Sequence, residues 1–179
     1  MSRTIDAQEL TEKDFAYDNF HTAIDGRLYR SGQIPAARLT AYLKKFGIKT
    51  IINLRSKAER IVCCRGEEEA AKEAGTAIQY VPMSAGRAST RKELLELLKI
   101  FDSAKEPLLI HCSQGINRTG EACALWCLEK NNMTNEEALK QFDDNFGYVF
   151  KSRPEKFLFI KAWQGREWLK KIYEPKMLK

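Results

Sequence analysis

The chain has 179 residues, of which 44% are hydrophobic and 30% charged, and carries a formal net charge of +6. That length suits one ordinary domain with its own core, and the lack of any run of about 18 apolar residues excludes a membrane-spanning helix. The positive charge is spread along the chain with no long Lys/Arg run, which suits an anionic ligand and argues against a nucleic-acid-binding face.

Residues 1–20 read as an irregular or partly helical lead-in. Asp25-Gly26 is a turn signal, and Leu28-Tyr29 reads as a short strand after it. Pro35 stands where a helix would open, with Leu39, Tyr42, Leu43 and Phe46 at helical spacing, and Gly47 closes it. Ile48 to Leu54 is a β-branched apolar run, the best buried-strand candidate of the first half, and ends on Arg55-Ser56-Lys57. Glu67 to Glu73 reads as an exposed helix closed by Gly75, and Ala77 to Pro82 as another strand. After the loop Ser84 to Ala88, Ser89 or Thr90 caps a helix whose apolar face is Leu94, Leu97, Leu98 and Phe101.

Pro107 precedes Leu108-Leu109-Ile110-His111, a strand that stops at Cys112. A loop with one glycine follows, and Arg118 to Leu128 forms the helix behind it. Thr134 and Glu137 make a capping box for the next helix. Pro154 opens a last helix through about Tyr173. Strands alternating with helices imply an α/β fold, a central mostly parallel sheet flanked by helices. No repeat or long linker divides the chain, so one domain over 1–179 is expected, its core at about 19–150 and its C-terminal helix at about 154–173.

The stretch from Cys112 to Gly120 carries the chemistry. A strand–loop–helix turn points backbone N–H groups at an anion near a positive helix end. Cys112 stands at one rim and Arg118 at the other. Helix N-termini and cations lower a thiol pKa, so Cys112 is expected as a thiolate, a strong nucleophile. Arg118 offers a planar fork matched to two phosphate oxygens. The amides of Ser113, Gln114, Gly115, Ile116, Asn117 and Arg118 are placed to take the rest.

His111-Cys112, five residues, then Arg118-Thr119-Gly120 resembles the signature loop of the cysteine-dependent protein-tyrosine-phosphatase superfamily. Asn19-Phe20, Leu28-Tyr29-Arg30-Ser31-Gly32, Phe46 to Arg55 and Pro107 to Cys112 extend the resemblance to its small atypical dual-specificity branch, over roughly residues 19–150. Relatives in and around that branch include phosphotyrosine phosphatases, inositol-pyrophosphate phosphatases and tyrosine-phosphatase-like phytases. The resemblance implies a protein-tyrosine-phosphatase-like fold and a metal-independent phosphomonoesterase without cofactor. In it Cys112 attacks phosphorus, water hydrolyses the phosphocysteine, and Arg118 with the loop amides stabilises the oxygens. Thr119 assists the departing sulfur, and His111 orients the loop.

One part of the family pattern is missing. Most relatives place an aspartate, the general acid for the leaving oxygen, in a loop about 20–40 residues before the cysteine. Val81 to Glu93 contains none. Asp25, Asp143 and Asp144 are the aspartates left to weigh, with Asp102 ranked last. Arg87 and Arg91 stand in that loop instead, and with Arg30, Arg55 and Lys57 they could form a basic rim. That favours inositol polyphosphates of the phytate kind over phosphotyrosine protein. A catalytically weak phosphate-binding module is the alternative of another class. A rhodanese-type sulfurtransferase has no use for the Arg-Thr-Gly.

Five cysteines, an odd count without a zinc-like CxxC pair, read as reduced thiols. Cys63 or Cys64 could pair with Cys112 on oxidation, whereas Cys123 and Cys127 read as helix packing. Phe146, Gly147 and Tyr148 could line the pocket. The polar N-terminus lacks a signal core, so a cytoplasmic location is the default expectation, an export signal removed ahead of Met1 the alternative.

Overall fold

The computed structural model describes residues 10–63 and 66–178. Five strands, β1 (His21–Ile24), β2 (Leu28–Ser31), β3 (Thr50–Asn53), β4 (Ala77–Tyr80) and β5 (Leu108–His111), form one sheet in the order β1-β2-β5-β3-β4. β5 runs parallel to both its neighbours and β3 to β4, while β1 is antiparallel to β2. Neighbouring side chains of a strand point to opposite faces. Ile51 and Leu109 therefore join one core and Ile52 and Ile110 the other.

The first core lies under α1 (Glu12–Tyr17), α2 (Ala36–Lys45) and α4 (Glu67–Ala74), packed by Leu39, Tyr42, Leu43 and Ala71. The second lies under α5 (Arg91–Ser103), α6 (Asn117–Lys130), α8 (Pro154–Lys161) and α9 (Arg166–Lys171), with Leu97, Trp126, Phe159 and Leu169 at its centre. α3 (Lys57–Cys63) stands beyond the end of β3, and α7 (Asn135–Ala138) follows α6. α5 and α7 open on the Thr90–Glu93 and Thr134–Glu137 capping boxes.

The α/β class and the mostly parallel sheet between helices are as expected. Three elements differ. β1 adds an antiparallel edge strand that its mixed His-Thr-Ala-Ile composition did not signal. α3 occupies a stretch read only as the end of a strand. The long final helix is two, because Gly165 sits at φ +94 and starts α9 in a new direction. Phe159, Trp163, Trp168 and Tyr173 pack on one another across that break, so their spacing imitates a single helix.

Register places Ser31, His111 and Asn53 side by side. The loop after β5 thus leaves between the carboxyl ends of two parallel neighbours, the crevice where such sheets take ligands.

Candidate active site

The loop from Cys112 to Ile116 bends around a depression of about 40 Å³ lined by Cys112, Ser113, Gln114, Ile116, Asn117, Arg118 and Ala85. Its tight turn needs Gly115. That residue has φ +74, and a Cβ there would stand 2.5 Å from the Gly32 nitrogen and the Ser31 carbonyl carbon. No side chain fits so close an approach.

Cys112 is buried at the floor of the depression. Burial works against its ionisation, but the Thr119 hydroxyl, the Arg118 guanidinium and the N–H groups of Gly115 and Thr119 outweigh it and hold the thiol below its ordinary value. The buried Thr119 hydroxyl has no other hydrogen-bond partner among the described residues. Thiol, guanidinium, hydroxyl and loop amides are therefore brought together around one depression, an arrangement suited to an anion.

Arg118 is held from behind by a residue the sequence reading missed. Its two terminal nitrogens meet both oxygens of Glu59 at 3.0 and 2.9 Å, and one of them also reaches the Leu54 and Met83 carbonyls at 3.4 Å. The hydrogen bonds from Arg118 hold the Glu59 carboxyl down at about 2, against the pull of partial burial. Glu59 thus stands as the anionic partner of Arg118. Its signal was present: Ser56-x-x-Glu59 is a capping box, with the Ser56 amide 2.8 Å from Glu59 Oε2 and the Glu59 amide 3.2 Å from Ser56 Oγ. It marks α3 as a helix that starts at the site.

His111 Nε2 lies 3.0 Å from Glu67 Oε1. Glu67 also accepts from Asn53 Nδ2 at 2.6 Å and Gln33 Nε2 at 3.1 Å. Burial alone would raise the Glu67 carboxyl, and the bonds from His111, Gln33 and Asn53 hold it below its usual range. His111 thereby bridges β5 to α4, on the side away from the depression. Nothing local in the sequence signals Glu67, since it reads as one of three glutamates on an exposed helix.

The proposed basic rim does not form. Arg30 has no exposed surface and lies beneath the loop. Arg55 is buried and turned to Gln33 Oε1 at 3.2 Å and Glu59 at 3.8 Å. Arg87 is paired with Glu93 through two 3.0 Å contacts, and Arg91 with Glu174 and the Tyr173 carbonyl, both at 2.8 Å. Lys57 is exposed but borders a separate groove with Arg60, Glu68 and Tyr80. Each of these arginines meets an oxygen acceptor of the protein, near in the chain for Arg87 (Glu93) and far along it for Arg30 (Gly115, Gln141) and Arg91 (Tyr173, Glu174).

The acid candidates fare no better. β2 starts at Leu28 beside Leu108, so Asp25, ahead of it, lies at the end of the sheet opposite Cys112. Asp143 caps the turn of Asn145 and, like Asp144, faces solvent outside the depression. Asp102 is paired with Arg166. Among the described residues, none that lines the depression carries a carboxyl, and Ala85 borders it on the side of the loop that precedes α5. Of the aromatic segment, Gly147 backs on Ile116, Phe146 packs on Arg30, and Tyr148 is buried in the core. Cys123 and Cys127 are free and buried in α6. The suggested partnership of Cys112 with Cys63 or Cys64 lies outside the described side chains.

The model of the family described as "DSP-PTPase phosphatase fused to NAD+ Kinase" matches residues 7–154. A stretch of 124 residues is 27% identical to a part of "Probable NAD kinase 2, chloroplastic" of Oryza sativa subsp. japonica; it covers 68% of this chain and 12% of that protein. The chain thus spans about an eighth of the length of this curated relative. Among solved structures, the core catalytic domain of the PP-IP phosphatase SIW14 from S. cerevisiae superposes with a TM-score of 0.67 at 22% identity, covering 86% of this chain and 90% of that one. TpbA of P. aeruginosa, solved in complex with pTyr, gives 0.64 at 21% identity, covering 82% and 85%. These two similarities speak to the fold.

Proposed function

Because the chain belongs to the DSP-PTPase phosphatase family whose members are described as fused to NAD+ kinase, and is thus a cysteine-dependent phosphatase of the tyrosine-phosphatase type, we propose that it cleaves phosphate groups whose leaving oxygen needs no proton, with inositol polyphosphates bearing a pyrophosphate as its substrate class. The observation that carries this is the depression itself, which holds a thiol, a guanidinium and amides and, among the described residues, no carboxylic acid.

The Cys112 thiolate attacks phosphorus, an S–P bond forms, and the bridging P–O bond breaks with its electron pair leaving on oxygen. Arg118 and the loop amides hold the three non-bridging oxygens, a positioning and electrostatic contribution. Water then attacks the phosphocysteine, the S–P bond breaks, Thr119 supports the returning thiolate, and a water proton passes to solvent. In the first step a sugar-like alkoxide leaves badly without an acid, whereas a phosphate or a phenolate leaves without help. Leaving-group chemistry thus favours a pyrophosphate-bearing inositol over phytate itself. The net charge of +6 suits such a ligand, and SIW14, of like fold, is a PP-IP phosphatase.

The test is phosphate release from an inositol pyrophosphate, phytate, a phosphotyrosine peptide and a phosphoserine peptide at equal concentration. The pyrophosphate should be hydrolysed fastest and phytate and phosphoserine slowest. Phytate turned over as fast as the pyrophosphate would refute the leaving-group argument, and a phosphotyrosine peptide far ahead of both would make the protein a tyrosine phosphatase. A second reading follows from the likeness to part of an NAD kinase: the domain serves such a kinase and removes phosphate from its nucleotide product. NADP+ added to the same panel tests it, and its hydrolysis above the inositol substrates would favour it.

A further inference from the structure

Three successive carbonyls of the loop are held from outside. The Gln33 amide donates to the Ser113 carbonyl at 2.9 Å. Asn19 Nδ2 donates to the Gln114 carbonyl at 2.8 Å. Arg30 donates to the Gly115 carbonyl at 2.8 Å. In a planar trans peptide the carbonyl and the next N–H point in opposite directions. Turning these three carbonyls outward turns the amides of Gln114, Gly115 and Ile116 inward.

Two of the three holders are side chains, and both are set unusually. Asn19 has φ +48 at the end of α1, a left-handed conformation that asparagine tolerates better than most residues. Its side chain also donates to the Phe146 carbonyl at 3.3 Å and meets His21 Nε2 at 2.7 Å. Arg30 is a fully buried guanidinium with no carboxylate partner among the described residues. Besides Gly115 it donates to the Gln141 carbonyl and Oε1 at 2.6 and 3.0 Å, and lies 3.8 Å over the Phe146 ring. Burying a charge without a counter-ion costs stability, so its retention calls for a role.

We propose that Asn19 and Arg30 are positioning residues that hold the phosphate cradle in its anion-binding form before any phosphate arrives. The proposal rests on the reading of this loop as the phosphate site. It has an electrostatic corollary. The groups in the field of Arg30 are the thiols of Cys112, Cys123 and Cys127, with His21 beyond. Burial pushes Cys123 up to about 12 and Cys127 to about 11, so neither ionises. Cys112 is the one anion Arg30 faces among the described residues, and Arg118 is the cation on its other side, itself shared with Glu59. The His111 ring is directed to Glu67. Arg30 therefore favours the Cys112 thiolate from below.

The experiment compares the full chain with Asn19→Ala, Arg30→Met and Arg30→Lys. It reads tungstate affinity by calorimetry, the pH profile of Cys112 alkylation by iodoacetamide, para-nitrophenyl phosphate hydrolysis, and melting temperature. Arg30→Met should weaken tungstate binding by about tenfold or more and move the alkylation profile to higher pH. Arg30→Lys should restore the profile but not the affinity, since one ammonium cannot replace the fork. Asn19→Ala, at a half-buried site, should weaken tungstate severalfold and leave the alkylation profile in place. Wild-type affinity in the folded Asn19→Ala and Arg30→Met proteins would overturn the proposal, as would affinity lost only in step with melting temperature. Should Arg30→Met not fold, Asn19→Ala decides alone. A wild-type chain that hydrolyses phosphate while both variants match it refutes this inference only; one that neither binds tungstate nor releases phosphate refutes the phosphatase reading beneath it.

Discussion

Cys112 and Glu59 define the site at the scale of single residues. Cys112→Ser removes the proposed nucleophile but leaves a group of similar size, so phosphate release should vanish while the melting temperature changes little; residual turnover near the wild-type rate would sink the nucleophile assignment. In the wild type, iodoacetamide should still alkylate Cys112 below the pH at which an ordinary thiol is protonated, because its pKa is lowered. The Glu59 carboxyl is held at about 2, below its ordinary 4.5. A depressed carboxyl contributes stability that is complete above the unfolded value and is lost as pH falls through the folded one. Melting temperatures followed from about pH 7 down to about pH 2 should therefore fall less steeply for Glu59→Gln between about pH 5 and 2. Equal slopes would mean that the pair contributes nothing measurable.

At the scale of elements, the site depends on how a strand, a loop and a helix are joined. Gly115→Ala would drive a methyl into the backbone of Ser31 and Gly32, so the loop must open. Oxyanion binding should be lost, and the protein should melt lower, as calorimetry will show. α3 matters because it delivers Glu59 to Arg118. Removing its cap in Ser56→Ala should cost about 1 kcal/mol of stability and, by fraying the first turn, lower kcat. Stability lost with kcat intact would show that Glu59 reaches Arg118 without that turn.

For the whole molecule, one buried network ties the site to the C-terminal helices. Lys156 of α8, with no exposed surface, lies 2.7 Å from Glu121 Oε2 of α6 and 3.0 Å from Ser89 Oγ in the loop before α5. Ser89 donates to the same Glu121 oxygen at 2.6 Å, and its carbonyl accepts from the Tyr173 hydroxyl at 2.7 Å. Breaking one side of a buried ion pair strands the other charge. Lys156→Met should destabilise by about 3–5 kcal/mol in a denaturant titration, and adding Glu121→Leu should recover much of the loss. A single variant as stable as the wild type would show the pair to be dispensable. The network also fixes the loop that borders the depression through Ala85, so the single variant should lower phosphatase activity before it unfolds.

Some of this was legible in the residues and some was not, for a physical reason. Local signals suffice wherever short-range geometry decides: the apolar run of β5, the glycine of the loop after it, the Thr90 and Thr134 caps, and the approach of Cys112 and Arg118 to one depression. The order of strands and helices was enough for a mostly parallel sheet between helices. Tertiary structure alone decided the partners of the charges. Arg30 went beneath the loop, Arg91 turned to Tyr173 and Glu174 and Arg55 to Gln33, and Glu59 and Glu67 came from α3 and α4 to Arg118 and His111. An ionic partner is chosen by distance in space, and spacing along the chain carries that distance only within a turn or two. The residues alone were enough to place a thiol and a guanidinium about one strand–loop–helix turn; the fold decided that this loop would be braced by the buried Arg30 and that, among the described residues, no carboxyl would line it.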